Sequence, residues 1–299
     1  MKNDVGMYAL YWEPDVFSKD LPSHIKKVRG LGFDYYEVGA RFFLEMSRQK
    51  RWEIRDLCQD IGIKIAFSGG PNAEGNLLSE DVSVRRQNIE YMKRVLEVAC
   101  DTGSTILCGL THCKWLEKPP RDMTMDIKHR LRDRSVAGVK EIIKTAEDFN
   151  IFYTIEIVSR YDHFLANSVA EGLDYCRQVD SPMIKLHLDS VHMNIEEGNI
   201  YQALMSAKGM IGYYHISECN RQLPGHPENS HQQWEQIFFG LRDSRYQGPI
   251  VIEPFVKMGG DRGNNLCIWR DLSLSQTDQE MNAEAQLALE FIRGQLSLY

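Results

Sequence analysis

Glu156, Asp189, His215 and Glu253 each close a short apolar run: Phe152-Tyr153-Thr154-Ile155-Glu156, Ile184-Lys185-Leu186-His187-Leu188-Asp189, Ile211-Gly212-Tyr213-Tyr214-His215 and Pro249-Ile250-Val251-Ile252-Glu253. A buried carboxylate at a strand tip is costly unless something neutralises it. Three carboxylates and one imidazole at four successive tips suggest a shared divalent cation. Such an oxygen-rich set suits Mn²⁺, Co²⁺ or Mg²⁺ better than a thiolate-selecting metal. A second reading stands beside it, because strand-tip acids also cap helices or pair with arginines. The flanking residues leave similar pairs of roles open. His192, three residues past Asp189, could reach a substrate hydroxyl or bond to backbone in a loop. Arg221, six past His215, could hold a substrate oxygen or a neighbouring carboxylate. His187 shares the strand face of Asp189 and reads as a satisfied core histidine. Tyr8, Trp12, Trp115 and Phe255 lie near strand ends, as core or as faces for a sugar.

Four tips meet at one point only if the elements carrying them are arranged to aim them there. Short apolar runs and longer amphipathic stretches alternate along the whole chain. Strands are expected at Val5 to Tyr11, Tyr35 to Val38, Lys64 to Phe67, Thr105 to Leu110, Phe152 to Ile157, Ile184 to Asp189, Ile211 to His215 and Pro249 to Glu253. Helices are expected from Leu21 to about Gly30, Arg48 to Ile61, Val84 to Cys100, through Val136 to Phe149, around Val169 to Val179 and Ile200 to Ala207, from near Gln232, and from Asp278 to Leu296. Eight strands alternating with eight helices predict parallel βαβ units closing into a (β/α)8 TIM barrel, one catalytic domain over residues 1–299. Barrel enzymes keep their chemistry at the C-terminal ends of the strands. An open doubly wound sheet would more often carry a Gly-rich turn after its first strand. Here Trp12-Glu13-Pro14-Asp15 follows instead.

Composition narrows the partners. A net charge of −7 argues against nucleic acid, which needs a basic surface. No apolar stretch reaches the length of a membrane span. The start, Met1 to Val5, lacks the apolar core of a secretory signal. Seven cysteines scattered singly read as reduced thiols in a cytoplasm.

Several segments together resemble the ketose 3-epimerases, the D-tagatose and D-psicose (allulose) 3-epimerases of the xylose-isomerase-like barrels. They are the Glu156 tip, Leu188-Asp189-Ser190-Val191-His192-Met193-Asn194-Ile195-Glu196-Glu197, His215-Ile216-Ser217-Glu218-Cys219-Asn220-Arg221 and Ile252-Glu253-Pro254-Phe255. Gly6-Met7-Tyr8-Ala9-Leu10-Tyr11-Trp12 and Cys108-Gly109-Leu110-Thr111-His112-Cys113-Lys114-Trp115 match the pattern as well. The resemblance implies metal-dependent epimerisation of free ketoses at C3, with Mn²⁺ as the expected ion and Co²⁺ or Mg²⁺ as alternatives. Glu156, Asp189, His215 and Glu253 would hold the metal, and Glu156 and Glu253 would also be the acid/base pair. His192 and Arg221 would contact the oxygens at the C1 end, with Asp162, Tyr8, Leu110, Trp115 and Phe255 completing the substrate site. A homodimer or homotetramer is implied too. Asp162 stands where the family usually has Glu, Val16 where a Trp is common, and the Ser68 to Leu78 loop is individual. A phosphorylated ketose stays open if Gly259-Gly260-Asp261-Arg262-Gly263 forms an anion nest. The alternatives are another xylose-isomerase-like sugar or sugar-phosphate isomerase or epimerase, or an inosose dehydratase.

Overall fold

The computed structural model describes residues 1–12, 20–72, 75–225, 230–273 and 277–299, and only the backbone of Asp261 and Arg262. Val16, residues 13–15, residues 73–74 of the Ser68 to Leu78 segment and residues 226–229 lie outside the described residues, as do the side chains of Asp261 and Arg262 in the expected nest. Eight parallel strands form a closed barrel in chain order. They are β1 (Val5–Tyr8), β2 (Tyr35–Gly39), β3 (Lys64–Ser68), β4 (Ile106–Cys108), β5 (Phe152–Glu156), β6 (Ile184–Asp189), β7 (Ile211–Ile216) and β8 (Ile250–Ile252). Closure is made by β1 pairing with both β2 and β8.

The helices expected from the alternation are α1 (Leu21–Gly30), α3 (Arg48–Ile61), α4 (Val82–Asp101), α5 (Met125–Phe149), α6 (Val169–Val179), α8 (Ile200–Ser206), α9 (Trp234–Asp243) and α11 (Asp278–Leu298). Their ends follow local chemistry. Ser47, Thr124, Ser168 and Asn199 accept backbone N–H groups at the starts of α3, α5, α6 and α8, and Thr277 with Glu280 makes a capping box on α11. Gly62, Asn150 and Asp180 end α3, α5 and α6 in the left-handed conformation. Three short helices, α2 (Arg41–Leu44), α7 (Ser190–Glu196) and α10 (Gly260–Asn265), are not signalled by the alternation. No described helix is long and apolar enough to cross a membrane.

Several boundaries differ from expectation for local reasons. β1 stops at Tyr8, where its pairing with Glu37 ends, and Ala9–Tyr11 turns into a 3-10 helix. β4 stops at Cys108 because Gly109 takes a positive φ of 95°. The helix expected through Val136 starts earlier, at Met125, because Thr124 Oγ1 caps it through Ile127 N.

Two cores follow from the period of the strands. The larger lies between barrel and helices. The smaller fills the barrel with Tyr8, Tyr35, Ala66, Ile106, Cys108, Tyr213 and Val251. Gly6 belongs to that crowded interior: a Cβ there would sit 2.7 Å from Tyr35 Cβ and 2.8 Å from Val251 Cγ2. Gly6→Ala is therefore expected to destabilise the fold by about 1–3 kcal/mol, read as a lower urea midpoint with an unchanged slope.

Candidate active site

Stepping two residues along each strand from the barrel interior leads to the C-terminal mouth. From Thr154 this leads to Glu156, from His187 to Asp189, from Tyr213 to His215 and from Val251 to Glu253. One extra residue at Gly212 shifts the β6–β7 register, so that His187 pairs with Tyr213 and Asp189 with His215. Ligand-grade atoms of Glu156, Asp189, His215 and Glu253 all lie within 4.8 Å of one another. His215 Nδ1 is 3.2 Å from Glu253 Oε2, 3.8 Å from Asp189 Oδ2 and 4.0 Å from Glu156 Oε1. The Asp189 and His215 side chains are closed off, at 0% and 2% exposure, whereas Glu156 keeps 12% and Glu253 10%. A small molecule entering the mouth would meet the two glutamates first.

Asp189 combines both roles weighed for it. Its Oδ1 caps α7 by accepting Val191 N at 2.6 Å and His192 N at 3.4 Å, while Oδ2 faces the cluster. Neither Glu156 nor Glu253 caps a described helix. Arg221 sits in the left-handed region at φ 64° and makes the carboxylate pairs: Nη1 donates to Asp189 Oδ2 and to Glu253 Oε2, each at 2.7 Å. Its Nη2 lies 3.2 Å from His192 Nε2, and its guanidinium stacks 4.8 Å over Phe255.

Burial, then the neighbouring Glu253, pushes the Glu156 carboxyl well above the usual range. Burial also raises Glu253, against the pull of His215 and Arg221. Burial works upward on Asp189 too, but Arg221, His192 and His215 outweigh it and hold it below the usual range. Burial would lower His215, but Glu253 and Glu37 outweigh it and raise it well above normal. His192 and His187 are both lowered, chiefly by burial.

Of the remaining expected residues, His192, Asp162, Tyr8 and Phe255 flank this cluster. His192 is on a helix rather than in a loop, with Nε2 3.9 Å from Glu156 Oε1 and Nδ1 3.6 Å from Asp162 Oδ2. Asp162 is held by the Ser159 hydroxyl and remains 44% exposed. Tyr8 stands 6.2 Å from the His215 ring and 6.4 Å from that of Phe255. Leu110 and Trp115 pack with Leu78, Cys113, Val158 and Leu165 in a separate apolar cluster. Trp12 is turned away into the core, donating to Asn282 Oδ1 at 2.8 Å. His187 accepts Gly109 N–H at 3.2 Å, as a core histidine would, yet its Nδ1 lies 3.9 Å from Glu156 Oε2.

Two acids of the Leu188 to Glu197 run brace the mouth. Glu196 forms a bidentate pair with Arg160 at 2.8–2.9 Å, tying the loop after β5 to α7. Glu197 accepts Val169 N at 2.7 Å at the start of α6. Glu37 escaped the sequence reading. It is fully buried on β2, with Oε2 2.6 Å from His215 Nε2. A charged residue inside the apolar run Tyr35-Tyr36-Glu37-Val38 was the available signal.

The fold and this cluster define a class. A family model described as xylose isomerase-like TIM barrel matches residues 25–281, and the chain belongs to that family. The D-psicose 3-epimerase of Ruminiclostridium cellulolyticum is 35% identical over 289 residues, covering 96% of each chain. That of Agrobacterium fabrum is also 35% identical, covering 96% of this chain and 97% of the relative. The crystal structure of D-psicose 3-epimerase with D-tagatose from Clostridium cellulolyticum superposes with a TM-score of 0.92 at 34% identity, covering 98% of this chain and 99% of that one. Within the xylose isomerase-like barrels, the chain belongs to the ketose 3-epimerase family, enzymes that epimerise carbohydrates.

Proposed function

We propose that the chain epimerises free ketoses at C3, in the manner of D-psicose/D-fructose and D-tagatose/D-sorbose interconversion, with a divalent ion held by Glu156, Asp189, His215 and Glu253. The observation that carries this reading is the convergence of those four groups, with the two glutamates on the reachable side. The donor set fits an ion. Three carboxylates face one guanidinium, and His215 Nδ1 is buried without a hydrogen-bond partner. Oxygen-rich ligation with one imidazole suits Mn²⁺, Co²⁺ or Mg²⁺, and the family resemblance singles out Mn²⁺ among them. The relatives' names and the D-tagatose in a similar structure support the substrate class.

Inverting C3 requires removing a proton next to a carbonyl and returning one on the other face. The chemistry a divalent ion supplies at these ligands is polarisation of the carbonyl and compensation of the charge that builds as C3 is deprotonated. Glu156 on β5 and Glu253 just past β8 approach from different sides of the ring. One takes the C3 proton to give an enediolate; the other delivers a proton from the opposite face. His192 and Arg221 hold the oxygens at the C1 end, and Tyr8, Leu110, Trp115, Asp162 and Phe255 bound the rest of the sugar. In this reading residues 1–299 act as one catalytic domain in the cytoplasm, where seven unpaired thiols stay reduced. A homodimer or homotetramer follows from the family resemblance.

Incubation with a panel of free ketoses and ketose phosphates tests the substrate class. Conversion of D-psicose or D-tagatose to the C3 epimer, with the phosphates untouched, is the expected result. Turnover confined to phosphates would reject the free-sugar reading.

A further inference from the structure

Glu37 belongs to none of the roles assigned so far, yet it is a fully buried carboxylate in the wall beneath the cluster. Its Oε2 lies 2.6 Å from His215 Nε2 and accepts the Tyr213 hydroxyl at 2.9 Å. Burial and then Glu37 push the Cys108 thiol well up, so no thiolate competes at this depth of the barrel. The geometry is directional. His215 turns Nε2 towards Glu37 and Nδ1 towards Glu253, Asp189 and Glu156. To ligate an ion through Nδ1, His215 must be a neutral imidazole, with one proton and one lone pair. A carboxylate that accepts Nε2–H leaves the Nδ1 lone pair facing the cluster.

We propose that Glu37, steadied by Tyr213, is a positioning residue for the metal centre, holding His215 as the Nε2–H tautomer with Nδ1 aimed at the ion. The proposal rests on the metal reading given above and adds a residue from the opposite side of the barrel. A carboxylate behind a histidine ligand fixes the ring and raises its basicity, and its loss typically weakens metal affinity 10–100-fold. Glu37→Gln keeps the side-chain size and removes the charge.

Calorimetric titration of Mn²⁺ into the metal-free protein tests it. The expected result is one ion per wild-type chain and about 10–100-fold weaker binding by Glu37→Gln, with the thermal midpoint of the metal-free form little changed. Equal affinity in the two proteins, or a lowered midpoint with unchanged affinity, would mark Glu37 as structural and overturn the proposal while leaving the metal reading intact. A wild-type protein that takes up no Mn²⁺ would overturn both. A second measurement needs no variant: nitrogen-15 NMR of the imidazoles in Mg²⁺-loaded wild-type protein. A His215 proton on Nε2 supports the assignment, and a proton on Nδ1 overturns it.

Discussion

Glu156→Gln and Glu253→Gln are each expected to cut epimerisation by about 10²–10⁴-fold, the usual contribution of a positioned acid or base. Both changes are isosteric, so the loss should come without collapse of the barrel. The electrostatics sharpen the expectation for Glu156. Its folded-state carboxyl is raised well above the ordinary range by burial and by Glu253. A raised carboxyl favours the folded state while protonated and loses that advantage as pH rises through its folded value. Above the ordinary carboxylate range, in metal-free protein, Glu156 therefore costs the fold stability that an uncharged glutamine would not. Glu156→Gln should unfold at a higher temperature than wild type in chelator, while being inactive with metal, as expected where function and stability conflict. Near-normal turnover in either glutamine variant would reject the two-base scheme.

Removal of the ion is expected to abolish activity, and added Mn²⁺ or Co²⁺ to restore it. The same ion should stabilise the fold by mass action, by about 2.7 kcal/mol at a hundredfold excess over its dissociation constant. Protons compete for the same oxygens, and the raised Glu156 and Glu253 carboxyls release theirs late. Apparent metal affinity should therefore weaken as pH falls. Without the ion, Arg221 Nη1 already bridges Asp189 Oδ2 and Glu253 Oε2. It supplies one positive charge where three carboxylates gather. Unchanged rates in chelator, with no shift in melting on adding Mn²⁺, would contradict the metal role.

The barrel was legible because its signal is periodic and repeated. Apolar runs of strand length, separated by amphipathic stretches, left little choice of topology, and the (β/α)8 barrel is the observed fold. The convergence of Glu156, Asp189, His215 and Glu253 was legible for the same reason: a tip position in a closed parallel barrel is also a position in space. Glu37 was not. It lies within β2 rather than at a tip, and its partner Tyr213 is 176 residues away. Only closure of the ring brings them together. Helix α7 was hidden because Asp189 ends β6 and caps the helix with no intervening loop. By spacing alone Arg221 could have faced a substrate or an acid, with the acid favoured. Its left-handed backbone and the turn from Glu218 to Gln222, closed by Glu218 N donating to Gln222 O, set its direction towards Asp189 and Glu253.

The central claim is that two carboxylates handle two different protons at one carbon. Early conversion of D-psicose in D₂O, followed by NMR at C3, reads this directly. The account predicts solvent deuterium at C3 of the epimer while remaining substrate still carries its original hydrogen. An epimer that retains the substrate's own hydrogen at C3 would contradict it.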